Sequence, residues 1–77
     1  MREEELKAFG KTVRMCRTAL NITQEELANR CDFHRTYIGQ IERGERNPSL
    51  LNIKTLCNTM GISLSSFFKK LEEVENI

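Results

Sequence analysis

Apolar residues recur along this chain in steps of three and four, in blocks separated by short polar stretches. Leu6, Phe9, Val13, Cys16 and Leu20 form the first block. They give one apolar face to a helix over about 3–20. Asn21 then stands where a helix often ends in a left-handed residue. Thr23-Gln24-Glu25-Glu26 is a capping box: the Thr23 hydroxyl can accept from the Glu26 amide, and the Glu26 carboxylate can accept from the Thr23 amide. A second helix therefore starts at 23 and runs to about 30 or 31, burying Leu27, Ala28 and Cys31. Asp32 makes the next turn, and His34 is an N-cap by position with poor capping chemistry. A third helix covers about 35–43 and stops at Gly44. Ser49 caps a fourth, which buries Leu50, Ile53, Leu56, Cys57 and Met60 and ends at Gly61. Ser63 caps a fifth, over about 63–75, where Leu64, Phe67, Phe68, Leu71 and Val74 form a band about 120° wide. No stretch alternates in the manner of a strand, so the expected class is all-α.

The third helix carries the most chemistry. At about 100° per residue, Ile38 and Ile41 share one side, and Arg35, Thr36, Gly39, Gln40 and Arg43 the other. The apolar side must be buried. The polar side holds residue types that read base edges and grip phosphates: Arg on guanine, Gln on adenine, Thr on either or on a thymine methyl. Gly39 in a helix interior costs roughly 1 kcal/mol relative to Ala, and the close approach of DNA would account for it. Helices two and three are separated by a three- to four-residue turn, the helix-turn-helix layout in which the second helix enters the major groove.

Size and charge refine this picture. A chain of 77 residues makes one domain, 1–77, whose small core is marginal without a staple or a partner. Cys16, Cys31 and Cys57 are odd in number and lie singly among apolar neighbours, so they read as buried small hydrophobes rather than disulfides. Cys31 and His34 have no second pair of ligands, so no metal or other cofactor is expected. Dimerisation is the expected source of added stability. The net charge of +1 hides a polarised chain: Lys7, Lys11, Arg14 and Arg17 stand between acidic ends at Glu3–Glu5 and Glu72–Glu75. No signal peptide or long apolar run is present, so a cytoplasmic protein with no membrane contact is expected. The single histidine has no nucleophile or carboxylate partner in sequence and there is no phosphate-cradling glycine loop, so an enzyme is not expected.

Four segments together carry a resemblance. Ile22-Thr-Gln-Glu-Glu-Leu-Ala28, Arg35-Thr-Tyr-Ile-Gly-Gln-Ile-Glu-Arg-Gly44, Asn47-Pro-Ser-Leu50 and Gly61-Ile-Ser-Leu-Ser-Ser-Phe67 resemble, in order, the Cro/cI-type (XRE) helix-turn-helix family. The run His34-Arg-Thr-Tyr-Ile38, with Glu42 through Ile53 and the Phe67-Phe68 pair, is most similar to the controller proteins of type II restriction–modification systems. The resemblance implies a compact five-helix, lambda-repressor-like DNA-binding domain. It implies a homodimer on palindromic double-stranded DNA that regulates its own and the endonuclease gene. It implies base reading by Arg35, Thr36 and Gln40, and backbone contact by Gln24, Tyr37, Arg43, Arg46 and Asn47. It also implies an ion pair between Arg17 and Glu42 that ties the first helix to the third. His34 and Gly39 depart from the commoner family pattern.

Leu51, Thr55, Phe68 and Leu71 are the candidate dimer residues. Phe67 and Phe68 are adjacent and cannot both point inward, and Leu51 lies off the core stripe of helix four. A symmetric dimer would place two recognition helices roughly 34 Å apart. Glu25, Glu26 or Asp32 could touch RNA polymerase; no small-molecule ligand is expected. Two other readings stay open at this stage: a phage-type repressor or antitoxin with the same binding chemistry, and a protein-interaction adaptor without sequence-specific DNA binding.

Overall fold

A computed structural model describes residues 2–76, and every regular element among them is helical. The helices are α1 (Glu3–Ala19), α2 (Gln24–Cys31), α3 (Arg35–Glu42), α4 (Leu50–Met60) and α5 (Leu64–Glu75). Their ends follow from local chemistry. The Thr23 hydroxyl accepts from the Glu26 amide at 3.0 Å while Glu26 accepts from the Thr23 amide at 3.0 Å. Ser49 and Ser63 accept from Asn52 and Ser66 in the same way. Asn21 and Asp32 take left-handed conformations, φ 57° and 59°. His34 occupies the N-cap of α3 without a side-chain cap bond.

α1 packs against α3 and α5, α2 against α3 and α4, and α4 against α5. Phe9, Val13, Leu27, Ile38, Ile41, Leu56 and Phe67 are almost fully buried where these faces meet. Phe9 and Phe67 meet edge to face, ring centroids 5.3 Å apart. The α1–α3 crossing depends on Gly10. A Cβ there would lie 2.6 Å from the Glu42 carbonyl oxygen and would also strike that of Ile41. Gly44 combines φ 76° with similar closeness to the Lys7 backbone. α1 therefore lies directly on the end of α3 and fixes its direction.

Two apolar positions differ from their periodicity. Leu50 is 63% exposed although α4 was expected to bury it. Seven residues separate it from Cys57, so the two lie within about 20° on the helix but about 10 Å apart along it. Angle alone cannot distinguish a covered turn from an uncovered one. Leu20, at the C-cap of α1, is likewise exposed. No helix among the described residues is long and apolar enough to cross a membrane.

Candidate nucleic-acid interface

α3 holds its apolar side, Ile38 and Ile41, in the core. Its opposite side presents Arg35 and Thr36 exposed and Gln40 half-buried. Neither Arg35 nor Thr36 has a side-chain partner among the described residues, so both keep their hydrogen-bonding capacity for something outside the chain.

Behind this face lies a network that sets its orientation. Arg17 donates from Nε to Glu42 Oε2 at 2.7 Å and from its second terminal nitrogen to Oε1 at 3.0 Å. Its remaining terminal nitrogen donates to the Ile22 carbonyl at 2.8 Å. The two side chains are only 11% and 3% exposed, and the hydrogen bond with Glu42 holds the Arg17 guanidinium above its ordinary range against the opposing effect of burial. One charge pair thus joins α1, the α1–α2 turn and α3. The Gln24 amide donates to Glu42 Oε1 at 3.0 Å, which brings the start of α2 into the same network. Gln24 keeps one amide N–H, and the first-turn backbone N–H groups of α2 offer an anion further donors.

Two further arginines beside this face, Arg46 and Arg43, are engaged within the protein. Arg46 donates to Gln40 Oε1 at 3.1 Å and stacks over the Tyr37 ring, 5.0 Å from its centroid. The Asn52 amide on α4 donates to the Tyr37 hydroxyl at 2.9 Å, leaving that hydroxyl free to donate. Tyr37 also meets Phe33 edge to face at 5.2 Å. Arg43 makes a two-point pair with Glu45, at 2.9 and 3.2 Å, which holds the exposed Glu45 carboxyl below the usual carboxylate range. Asn47 is exposed on the same loop. Gly39 lies beneath Gln24 and Arg43: a Cβ there would meet the Arg43 guanidinium at 3.1 Å and Gln24 Oε1 at 3.6 Å. Only flexible side-chain ends, and no backbone, occupy the space above it.

Gln24, Arg35, Thr36, Tyr37, Gln40, Arg43 and Arg46 line adjoining hollows on one side of α3, Asn47 is exposed on the loop that follows it, and Arg17 and Glu42 pair directly. The links Gln24–Glu42, Arg46–Gln40, Arg43–Glu45 and Asn52–Tyr37 were not anticipated. Only Arg43-x-Glu45 leaves a trace in sequence, as opposite charges two apart in a short loop. Of the residues expected at a subunit interface, Leu51 is 74% exposed, while Thr55 and Phe68 are half-buried. Leu71 does not join them. It is 8% exposed within the protomer's own core, because α5 turns it onto the same side as Phe67.

Two short helices joined by a tight turn, the second with an outward polar face on which Arg35 and Thr36 have no side-chain partner among the described residues, define a helix-turn-helix module. A helix-turn-helix family model matches residues 13–67. The control protein C.BamHI of Bacillus amyloliquefaciens is 51% identical over 55 residues, covering 70% of this chain and 68% of that protein. The crystal structure of the restriction–modification controller protein C.AhdI from Aeromonas hydrophila superposes with a TM-score of 0.80 at 39% identity, covering 83% of this chain and 97% of that one. The controller protein C.Esp1396I, solved as a tetramer in complex with its natural 35 base-pair operator, gives a TM-score of 0.85 at 28% identity, covering 91% and 92%. The chain belongs to the helix-turn-helix family and, within it, groups with the restriction–modification controller proteins.

Proposed function

We propose that this protein is a sequence-specific, DNA-binding transcription regulator that acts as a homodimer on a palindromic operator. In this reading it controls its own gene and the endonuclease gene of a restriction–modification system. The outward face of α3 carries the proposal: Arg35, Thr36 and Gln40 present guanidinium, hydroxyl and amide groups along one side of a helix narrow enough for the major groove. Gln24, Tyr37, Arg43, Arg46 and Asn47 flank that face and serve the phosphates. The protein works by binding rather than catalysis, in the cytoplasm where its operator lies. Two chains meet through the outer side of α4 at Leu51 and Thr55, with Phe68 of α5. Leu51 offers exposed apolar surface there, and the operator-bound C.Esp1396I is a tetramer.

Footprinting on the DNA upstream of the protein's own gene tests this. The expected result is paired protected boxes about one helical turn apart, resistant to excess random duplex. Arg35→Ala is expected to cost about 1–3 kcal/mol of operator binding and to relax preference at one base pair. Equal loss on operator and random DNA would remove Arg35 from base reading. Absence of any footprint resistant to competitor would remove the regulatory function itself.

A further inference from the structure

We infer that Arg46 fixes the Gln40 amide so that this residue selects guanine over adenine. This rests on the base-reading role proposed above for α3 and names what one of its residues reads. A glutamine that reads adenine needs both ends of its amide: the nitrogen donates to N7 and the oxygen accepts from N6. Here the oxygen is turned toward Arg46, which takes one of its two lone pairs. Arg46 donates to Gln40 Oε1 at 3.1 Å, and a guanidinium can only donate, so the amide oxygen must face it. The amide NH2 is then the end turned away from Arg46, and it carries two donors. Guanine offers N7 and O6, both acceptors, to such a group. Adenine offers one acceptor and sets its N6 donor against another donor.

Arg46 is held in this position by more than one contact. Its guanidinium stacks 5.0 Å above the Tyr37 ring. Tyr37 is anchored in turn by the Asn52 amide at 2.9 Å and by Phe33 at 5.2 Å. The chain Asn52–Tyr37–Arg46–Gln40 therefore runs from α4 to the reading face. Together with Thr36, these last three residues line a hollow of about 500 Å³ beside α3. Arg46 acts as a positioning residue for Gln40 as well as a cation near the backbone.

The test uses the full-length protein and a panel of operator duplexes in which each half-site position is replaced in turn, read by fluorescence anisotropy. Gln40→Ala first identifies the position that depends on Gln40. Wild type is expected to prefer guanine over adenine there by about tenfold. Arg46→Met keeps the aliphatic stem but has no donor, and should shrink that preference to about twofold by freeing the amide to turn. Arg46→Lys, which can donate to the same oxygen, should restore most of it. All Arg46 variants lose some overall affinity, so base choice is the quantity compared. A loss of fold would weaken every position alike and would not change the preferred base at one. Adenine preferred by wild type at the Gln40 position, or an Arg46→Met preference equal to wild type, would overturn the inference. If Gln40→Ala alters no position while the operator is still recognised, Gln40 is not a reader and the inference falls alone. If wild type recognises no operator at all, the underlying function falls first.

Discussion

Replacing Arg17 with methionine isolates the interaction that holds α3 against α1. Methionine keeps most of the aliphatic stem, so the change is chiefly electrostatic. It would leave the Glu42 carboxylate, 3% exposed, with Gln24 as its remaining partner, and would strand the Ile22 carbonyl that Arg17 now satisfies. Removing one member of a buried pair costs about 3–5 kcal/mol because the other is left uncompensated. A domain of this length has a total stability of about 4–12 kcal/mol. Arg17→Met should therefore unfold at a temperature lower by about 15–30 °C. Urea unfolding followed by far-ultraviolet circular dichroism, at one fixed protein concentration because a dimer's stability depends on it, gives the value directly. The double variant Arg17→Met with Glu42→Leu removes both charges and should recover most of the loss, since apolar replacement of a buried pair is often neutral or better. An Arg17→Met protein within about 1 kcal/mol of wild type would refute the reasoning. So would a double variant no more stable than the single one, because the penalty would then not be an unpaired charge.

The remaining predictions concern glycines, the loop pair and a thiol. Gly10→Ala should cost about 1–3 kcal/mol in the same unfolding assay, since its methyl meets backbone carbonyls of α3 that cannot move aside. Gly39→Ala should raise stability by up to about 1 kcal/mol, because only the Arg43 guanidinium must shift, while weakening operator binding where the helix approaches DNA; a less stable protein would contradict this. Glu45→Gln frees Arg43 from its two-point pair, so the slope of log K against log salt should steepen by about one unit and affinity for random duplex should rise two- to fivefold, to about that extent. Glu25→Gln removes an equal charge from a carboxylate that has no partner among the described residues and lines a hollow with Gln24 and Arg35, and an identical response there would make Glu45 a generic charge. Burial pushes the Cys57 thiol up to about 11. A raised folded value contributes stability that is complete below about pH 9 and lost as pH rises toward 11, so unfolding free energy should decline over that window, and the thiol should resist modification at pH 8 until the protein unfolds.

The helices were legible because their ends carry side-chain signals: Thr23 with Glu26, Ser49, Ser63, and the left-handed Asn21 and Asp32. The grouping of Arg35, Thr36 and Gln40 was legible because helical geometry fixes which residues share a side. The Leu50 exposure was hidden because periodicity gives an angle around the helix and says nothing of where along it neighbours stop. Leu71 lies inside the α5 band, about 40° round the helix from Phe67, so it shares the core-facing side, and Phe68 stands at the band's outer edge. Gly10 was silent because its role lies in what α3 brings against it. The side-chain links behind the reading face were also hidden. Gln24 with Glu42, Arg46 with Gln40 and Asn52 with Tyr37 join residues six to eighteen apart on different elements. Their pairing exists only once α1 has set the direction of α3.

In the function proposed above, α3 reads bases as part of a symmetric dimer. Selection of bound duplexes from a fully randomised pool, at about physiological salt where backbone attraction alone is weak, tests it most directly. The expected result is enrichment of one palindrome whose half-sites lie about a helical turn apart, with guanine at positions lost on Arg35→Ala or Gln40→Ala. A pool that emerges unenriched, or enriched without two-fold symmetry, would contradict it.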